Sequence, residues 1–133
     1  MIFASCAVKN SSETKTDSSE MTGLWRVVRN DSIYNEAIIQ DTILIGIDEY
    51  QNLHRRTIRV EGDSIRIRGR NVDFALKFRK IDGDNFVLEN ARVKTHYQRM
   101  RVDGIDPDKI GKAEIDSLLV HFPSRRAGWD AQR

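Results

Sequence analysis

From Gly23 to Val102 the apolar residues recur mainly at every second position rather than every third or fourth. That is the period of strands that turn one face to a core. Leu24-Trp25-Arg26-Val27-Val28 opens a first strand. Thr42-Ile43-Leu44-Ile45-Gly46-Ile47 makes a second, and a start as early as Ala37 fits the pattern equally well. The unbroken apolar character of this second run predicts burial on both faces, or a bend. The clearest hairpin pairs Arg56-Thr57-Ile58-Arg59-Val60 with Ser64-Ile65-Arg66-Ile67-Arg68 across Glu61-Gly62-Asp63, where Gly takes a positive φ without steric cost. Ile58, Val60, Ile65 and Ile67 share one face of it; Arg59, Arg66 and Arg68 share the other.

A second hairpin alternates Phe74, Leu76 and Phe78 with Ala75, Lys77 and Arg79, turns at Asp82-Gly83-Asp84-Asn85 and returns along Phe86-Val87-Leu88. Such a turn cluster between two periodic runs is a hairpin signal. A final strand near Arg92–Val102 sets Val93, Thr95, Tyr97 and Arg99 on one face. Seven or eight short strands in an open sheet would leave apolar edges exposed, and closure removes them. The predicted fold is mainly all-β: a small antiparallel up-and-down barrel or half-barrel with one C-terminal α-helix.

That helix is predicted over about 107–120. Asp106 serves as cap, Pro107 as first helical residue, and Pro123 as stop. Ile110, Ala113, Ile115 and Leu118 form its apolar stripe, packed on the barrel's outside or across an open end. The resulting division is a polar tether over 1–20, the barrel and helix over 21–123, and a tail over 124–133 carrying Trp129.

Composition narrows the function. With 133 residues, 39% hydrophobic and 32% charged, the chain holds one domain with a modest core. A net charge of +2 excludes a globally basic nucleic-acid binder but leaves room for a local basic face. A single cysteine, Cys6, excludes an internal disulfide framework and Cys-based zinc fingers. No apolar run reaches the roughly 18 residues of a membrane-spanning helix. Val8–Glu20 is almost wholly polar, too poor in apolar surface to offset its own ordering entropy.

Two short motifs carry a resemblance. Phe3-Ala4-Ser5-Cys6 ahead of the polar stretch resembles the lipobox of bacterial lipoproteins, in which the cysteine is acylated. Gly23-Leu24-Trp25 at the start of the first strand, with Tyr97-Gln98-Arg99 on the last, is similar to small bacterial lipocalin-like lipoproteins over roughly residues 22–120. The resemblance implies that Trp25 plugs the closed end of the barrel, and that Arg99 or Arg101 lies over its ring in a cation–π contact. It also implies a lipid on Cys6 as membrane anchor, a place in the bacterial cell envelope, and a ligand inside the barrel.

Catalytic chemistry is not foreshadowed. His54, His96 and His121 are read in a loop, on a strand and at a helix end, without metal-ligand spacing. A cysteine in a tether makes no Cys–His pair, and Gly-X-Ser-X-Gly is absent. Asp82-Gly83-Asp84-Asn85 lacks the rest of a calcium loop. No catalytic residue, metal or cofactor is expected, and no enzyme.

Between His54 and Lys80 nine Lys and Arg face three acids, a net of +6. Arg59, Arg66, Arg68 and Arg79 therefore form a candidate face for an acidic protein partner. Nucleic acid is not expected, because Phe74 and Phe78 fall on the core side rather than among the arginines. Five acids against two Lys over Asp103–Val120 offer internal neutralisation. The leading expectation is binding of a small apolar or amphipathic ligand in the barrel mouth, with Trp25, Phe74, Phe78, Phe86 and Tyr97 lining it. The alternative is a protein-interaction module, of inhibitor or immunity type, that uses the arginine face.

Overall fold

A computed structural model describes residues 18–133. Cys6 and most of the segment read as a tether lie outside the described residues. Eight antiparallel strands follow one another around a closed barrel. They are β1 (Gly23–Arg29), β2 (Ile33–Gln40), β3 (Ile43–Ile47), β4 (Leu53–Glu61), β5 (Ser64–Gly69), β6 (Val72–Asp82), β7 (Asn85–Glu89) and β8 (Lys94–Met100). β1 pairs with both β2 and β8, so no edge is left open. Each strand joins its neighbour by a short turn, and several of the turns need a left-handed backbone. Asn30, Asp31, Asp41 and Asn71, residue types that tolerate a left-handed backbone, carry the positive φ values there.

The run that reads as one strand from Ala37 to Ile47 is a hairpin. β2 turns at Asp41-Thr42 into β3, which supplies the eighth strand. Its continuous apolar character has the reason foreseen. Ile38 and Ile39 are both buried, Ile39 in the barrel interior and Ile38 in a second core on the outer wall.

Inside, Ile58, Ile65, Ile67, Leu76, Phe86 and Leu88 pack with Trp25 and Tyr97. Phe86 stacks on Tyr97 with ring centroids 4.5 Å apart, and Trp25 meets Phe86 edge-on at 4.7 Å. Such pairs add about 0.5–1.5 kcal/mol each to the area they bury. Ser18–Met21, which spans the boundary between the segment read as tether and the barrel, forms a 3-10 turn beside Trp25.

The helix α1 (Lys112–Ala131) starts and stops elsewhere than the sequence signals indicate. Asp106 and Pro107 lie in a turn, where Asp106 Oδ1 accepts from the Asp108 N–H. The cap is Gly111, whose N–H donates to Glu114 Oε1 at 2.7 Å. Pro123 sits within α1 rather than ending it, and the supposed tail from Ser124 is helical to Ala131. Ala113 faces solvent. Tertiary packing overrides the proline, whose ring removes one backbone donor from that turn. Leu118 and Phe122 are buried against Leu24, Tyr34, Ile38 and Ile47 on the outer wall of β1–β3. Trp129 docks on Tyr34 with centroids 5.2 Å apart.

One buried charge pair pins this helix. Glu36, 1% exposed on β2, accepts from Arg125 Nε at 2.8 Å and Nη2 at 2.6 Å, and from the Tyr34 hydroxyl at 2.5 Å. Arg125 Nη2 also donates to the Leu118 carbonyl at 2.6 Å, in the turn before Pro123. Burial, then the neighbouring Glu36, raises the Tyr34 hydroxyl well above its ordinary pKa, so it remains a donor.

Candidate functional site at the open end of the barrel

The two ends of the barrel differ in how they are closed. At the end where β1 begins, Trp25 Nε1 donates to the Met21 carbonyl at 2.8 Å. The Arg99 guanidinium lies 4.3 Å over the Trp25 ring. It donates to the Thr22 carbonyl at 2.8 Å, to the Glu20 and Gly83 carbonyls at 3.2 Å, and to Asp84 Oδ1 at 3.0 Å. One side chain thus ties the N-terminal turn, the β6–β7 turn and the indole together. The glycine of Gly23-Leu24-Trp25 has a reason in this geometry. Its φ is +146°, and a Cβ there would stand 2.5 Å from Arg99 Nη1.

The opposite end, at the β1–β2, β3–β4 and β5–β6 turns, holds a cavity of about 190 Å³. Val27, Ala37, Leu44, Ile67, Phe74 and Tyr97 give it apolar walls. Asn35, Glu36, Asp48, His54 and Arg56 are its polar lining residues. The pleat explains the membership. On β4, His54, Arg56 and Ile58 alternate inward, and on β3 the inward positions are Leu44 and Gly46, which the register sets opposite Arg56 and His54. Gly46 contributes no side chain, which keeps the space beside Ala37 and His54 open.

The polar groups are not equally engaged. Asp48 Oδ1 accepts from the Tyr50 and Asn52 N–H groups, and Oδ2 lies 2.7 Å from His54 Nε2. Desolvation pushes the Asp48 carboxyl up. The His54 contact and the two backbone donors outweigh it, and its pKa ends below the ordinary value. An ionised Asp48 assigns the proton to His54 Nε2. Asn35 Oδ1, by contrast, is buried without a hydrogen-bond partner among the described residues. Arg56 is partly buried, and among the described residues its side chain makes one hydrogen bond, a long one of 3.3 Å to the Arg55 carbonyl. Burying a polar group unpaired costs about 1–3 kcal/mol; besides Asn35 Oδ1, Arg26 Nε on the outer wall is the other such atom among the described residues.

The five aromatics expected around a ligand divide between the ends. Phe74 and Tyr97 line the mouth. Trp25 and Phe86 are packed core beneath it, and Phe78 and Phe86 border a crevice of about 260 Å³ at the closed end. Sharing an inward face does not mean sharing a height: four residues along β6 separate Phe74 from Phe78 by roughly 13 Å. The closed-end crevice has its charges engaged, Lys80 with Glu20 at 3.7 Å and Arg99 with Asp84. His54 lies on a strand and His121 within α1, not in a loop or at a helix end. Asn35, Asp48 and Gly46 had no signal in sequence beyond ordinary strand and turn positions.

The arginine face points outward as its alternation requires, but it is largely neutralised within its own hairpins. Glu61 receives both Arg59 and Arg66, and Asp73 receives Arg66 at 2.9 Å and Arg68 at 3.4 Å. Arg79 pairs with Glu89 at 3.4 Å. Arg59 first, then Arg66, holds the Glu61 carboxyl below its usual range, and Arg66 does the same for Asp73. The acids of 103–120 have no part in it, since α1 packs on the wall of β1–β3 instead.

Among the described residues no three His, Cys, Asp or Glu side chains are grouped to hold a metal ion, and no helix is long and apolar enough to cross a membrane. Fold and site together define a class: a closed eight-stranded up-and-down barrel, plugged at one end and carrying a small, incompletely bonded cavity at the other. No family model matches the chain, and comparison with curated proteins and with solved structures found no match either.

Proposed function

We propose that this domain is a non-catalytic, lipocalin-like binding module that holds a small amphipathic molecule in the open mouth of its barrel. The observation that carries the reading is the 190 Å³ cavity, open at the mouth, with apolar walls and Asn35, His54 and Arg56 among its lining residues. Its size sets the ligand's size. An apolar protein cavity of about 150 Å³ accepts benzene, whereas drug-sized ligands occupy about 300–1,000 Å³. A molecule of one ring fits; a long acyl chain does not. In the same reading, Cys6 after Phe3-Ala4-Ser5 carries a lipid, and the polar stretch behind it lets the barrel stand off a bacterial envelope membrane.

The test is an NMR titration of the full chain with toluene, beside the variant Gly46→Leu. The added side chain enters free space, because a Cβ at Gly46 meets nothing closer than 3.8 Å. Toluene should shift the amides of Asn35, Gly46 and Tyr97 in the parent and leave the filled variant unchanged. If millimolar toluene moves no mouth resonance of the parent, the cavity is not a binding site. Acylation of Cys6 is checked by the intact mass of the chain extracted from bacterial membranes.

A further inference from the structure

We infer that the molecule held in the mouth is a monocarboxylate with an apolar body of about one ring, and that Arg56 is the residue that selects it. This rests on the reading of the mouth as a ligand site.

Arg56 stands on the inward face of β4, between His54 and Ile58, and lines the cavity. A guanidinium turned toward a barrel interior normally has a carboxylate beside it. Four outward arginines of the same barrel do: Arg59, Arg66, Arg68 and Arg79 each have an acid within ion-pair distance, whereas the outward Arg26 and Arg55, which lack one among the described residues, do not face the interior. Arg56 has none among the described residues. The two acids that share its cavity are engaged elsewhere, Asp48 by His54 and two backbone N–H groups, and Glu36 by Arg125 and the Tyr34 hydroxyl. Neither carboxylate is therefore free to pair with Arg56, whose guanidinium faces the cavity without an acid of its own among the described residues.

The barrel is also shaped around this side chain. Gly69 lies on β5, one rung beyond the Thr57–Arg68 pair, which places it across from Arg56. A Cβ at Gly69 would stand 2.5 Å from Arg56 Cδ and 2.9 Å from Nη1. Only a glycine lets Arg56 lie where it does, along the wall of the mouth.

The class of anion follows from the rest of the lining. A guanidinium presents a planar two-pronged donor that matches a carboxylate. One unpaired cation beside an ionised Asp48 suits a monoanion better than a dianionic phosphate. Val27, Ala37, Leu44, Ile67, Phe74 and Tyr97 ask for an apolar body.

Calorimetric titration of the full chain with benzoate, benzamide and toluene separates this inference from the reading beneath it. Benzoate should bind tightest. Arg56→Gln should weaken benzoate about tenfold or more while changing benzamide and toluene less than about twofold. Gly69→Ala, which leaves the charge but displaces the side chain, should weaken benzoate selectively as well, and guards against misfolding of the first variant. Equal affinity for benzoate and benzamide, or equal loss of both in Arg56→Gln, overturns the carboxylate assignment and leaves the mouth as a site for neutral molecules. Binding of toluene alone has the same meaning. If none of the three binds, the inference and the proposed function fall together.

Discussion

The contact that decides whether the C-terminal third holds its place is Glu36 with Arg125, and its removal has a calculable cost. Arg125→Met deletes two charge-assisted hydrogen bonds to a carboxylate that is 1% exposed, and a third bond to the Leu118 carbonyl. Arg125 is itself only 18% exposed, so solvent does little to screen the loss. Charge-assisted bonds contribute about 1.5–3 kcal/mol each, and stripping one member from a buried pair costs about 3–5 kcal/mol. For a domain of this size that is a fall in Tm of roughly 10–20 °C. The cost lies mainly in the stranded Glu36, not in a pair worth that much by itself. Arg125→Met combined with Glu36→Leu should therefore recover most of the loss, because well-packed apolar residues replace buried ion pairs at little net cost. The double variant retains a smaller deficit of about 1 kcal/mol from the Tyr34 hydroxyl, which loses its acceptor, and Tyr34→Phe added to it should remove that too. Urea and thermal unfolding of these three variants and of Glu36→Leu alone measure the cycle. A loss below about 1 kcal/mol for Arg125→Met, or a double variant less stable than either single one, would show that the helix is held by its apolar face alone.

Two further outcomes follow from the closed end and from the acids. Gly23→Ala places a Cβ in a left-handed backbone and against Arg99, and should cost about 2 kcal/mol or more, with the near-ultraviolet signal of Trp25 altered; an unchanged melting curve and spectrum would refute the tie between Arg99 and the plug. The carboxyl of Asp48 sits below its ordinary value, so its share of stability is present in full above the unfolded value of about 4 and disappears as pH falls through the lower folded one. Asp48→Asn should accordingly lose less stability than the parent between pH 6 and 2.5, and equal losses in urea midpoints would contradict that role.

Alternation along the chain carried the barrel by itself. Ile58, Val60, Ile65 and Ile67 face inward, Arg59, Arg66 and Arg68 outward, and the last strand turns Thr95, Tyr97 and Arg99 to the interior, because a pleat permits no other assignment once one face is apolar. What the pattern does not encode is height along the barrel and the partner across it. The inward aromatics of one strand were therefore assigned to a single mouth that holds only some of them, and Asn35, Gly46 and Asp48 remained ordinary residues until neighbouring strands brought them around one cavity. The helix is the other case. Asp106-Pro107 and Pro123 are strong local signals, worth about 1–3 kcal/mol each. They yielded to Phe122, Arg125 and Trp129, whose partners Tyr34 and Glu36 lie some ninety residues away. Local chemistry sets the menu of a segment's conformations; the choice belongs to whichever burial is larger, and that sum exists only when the chain is folded.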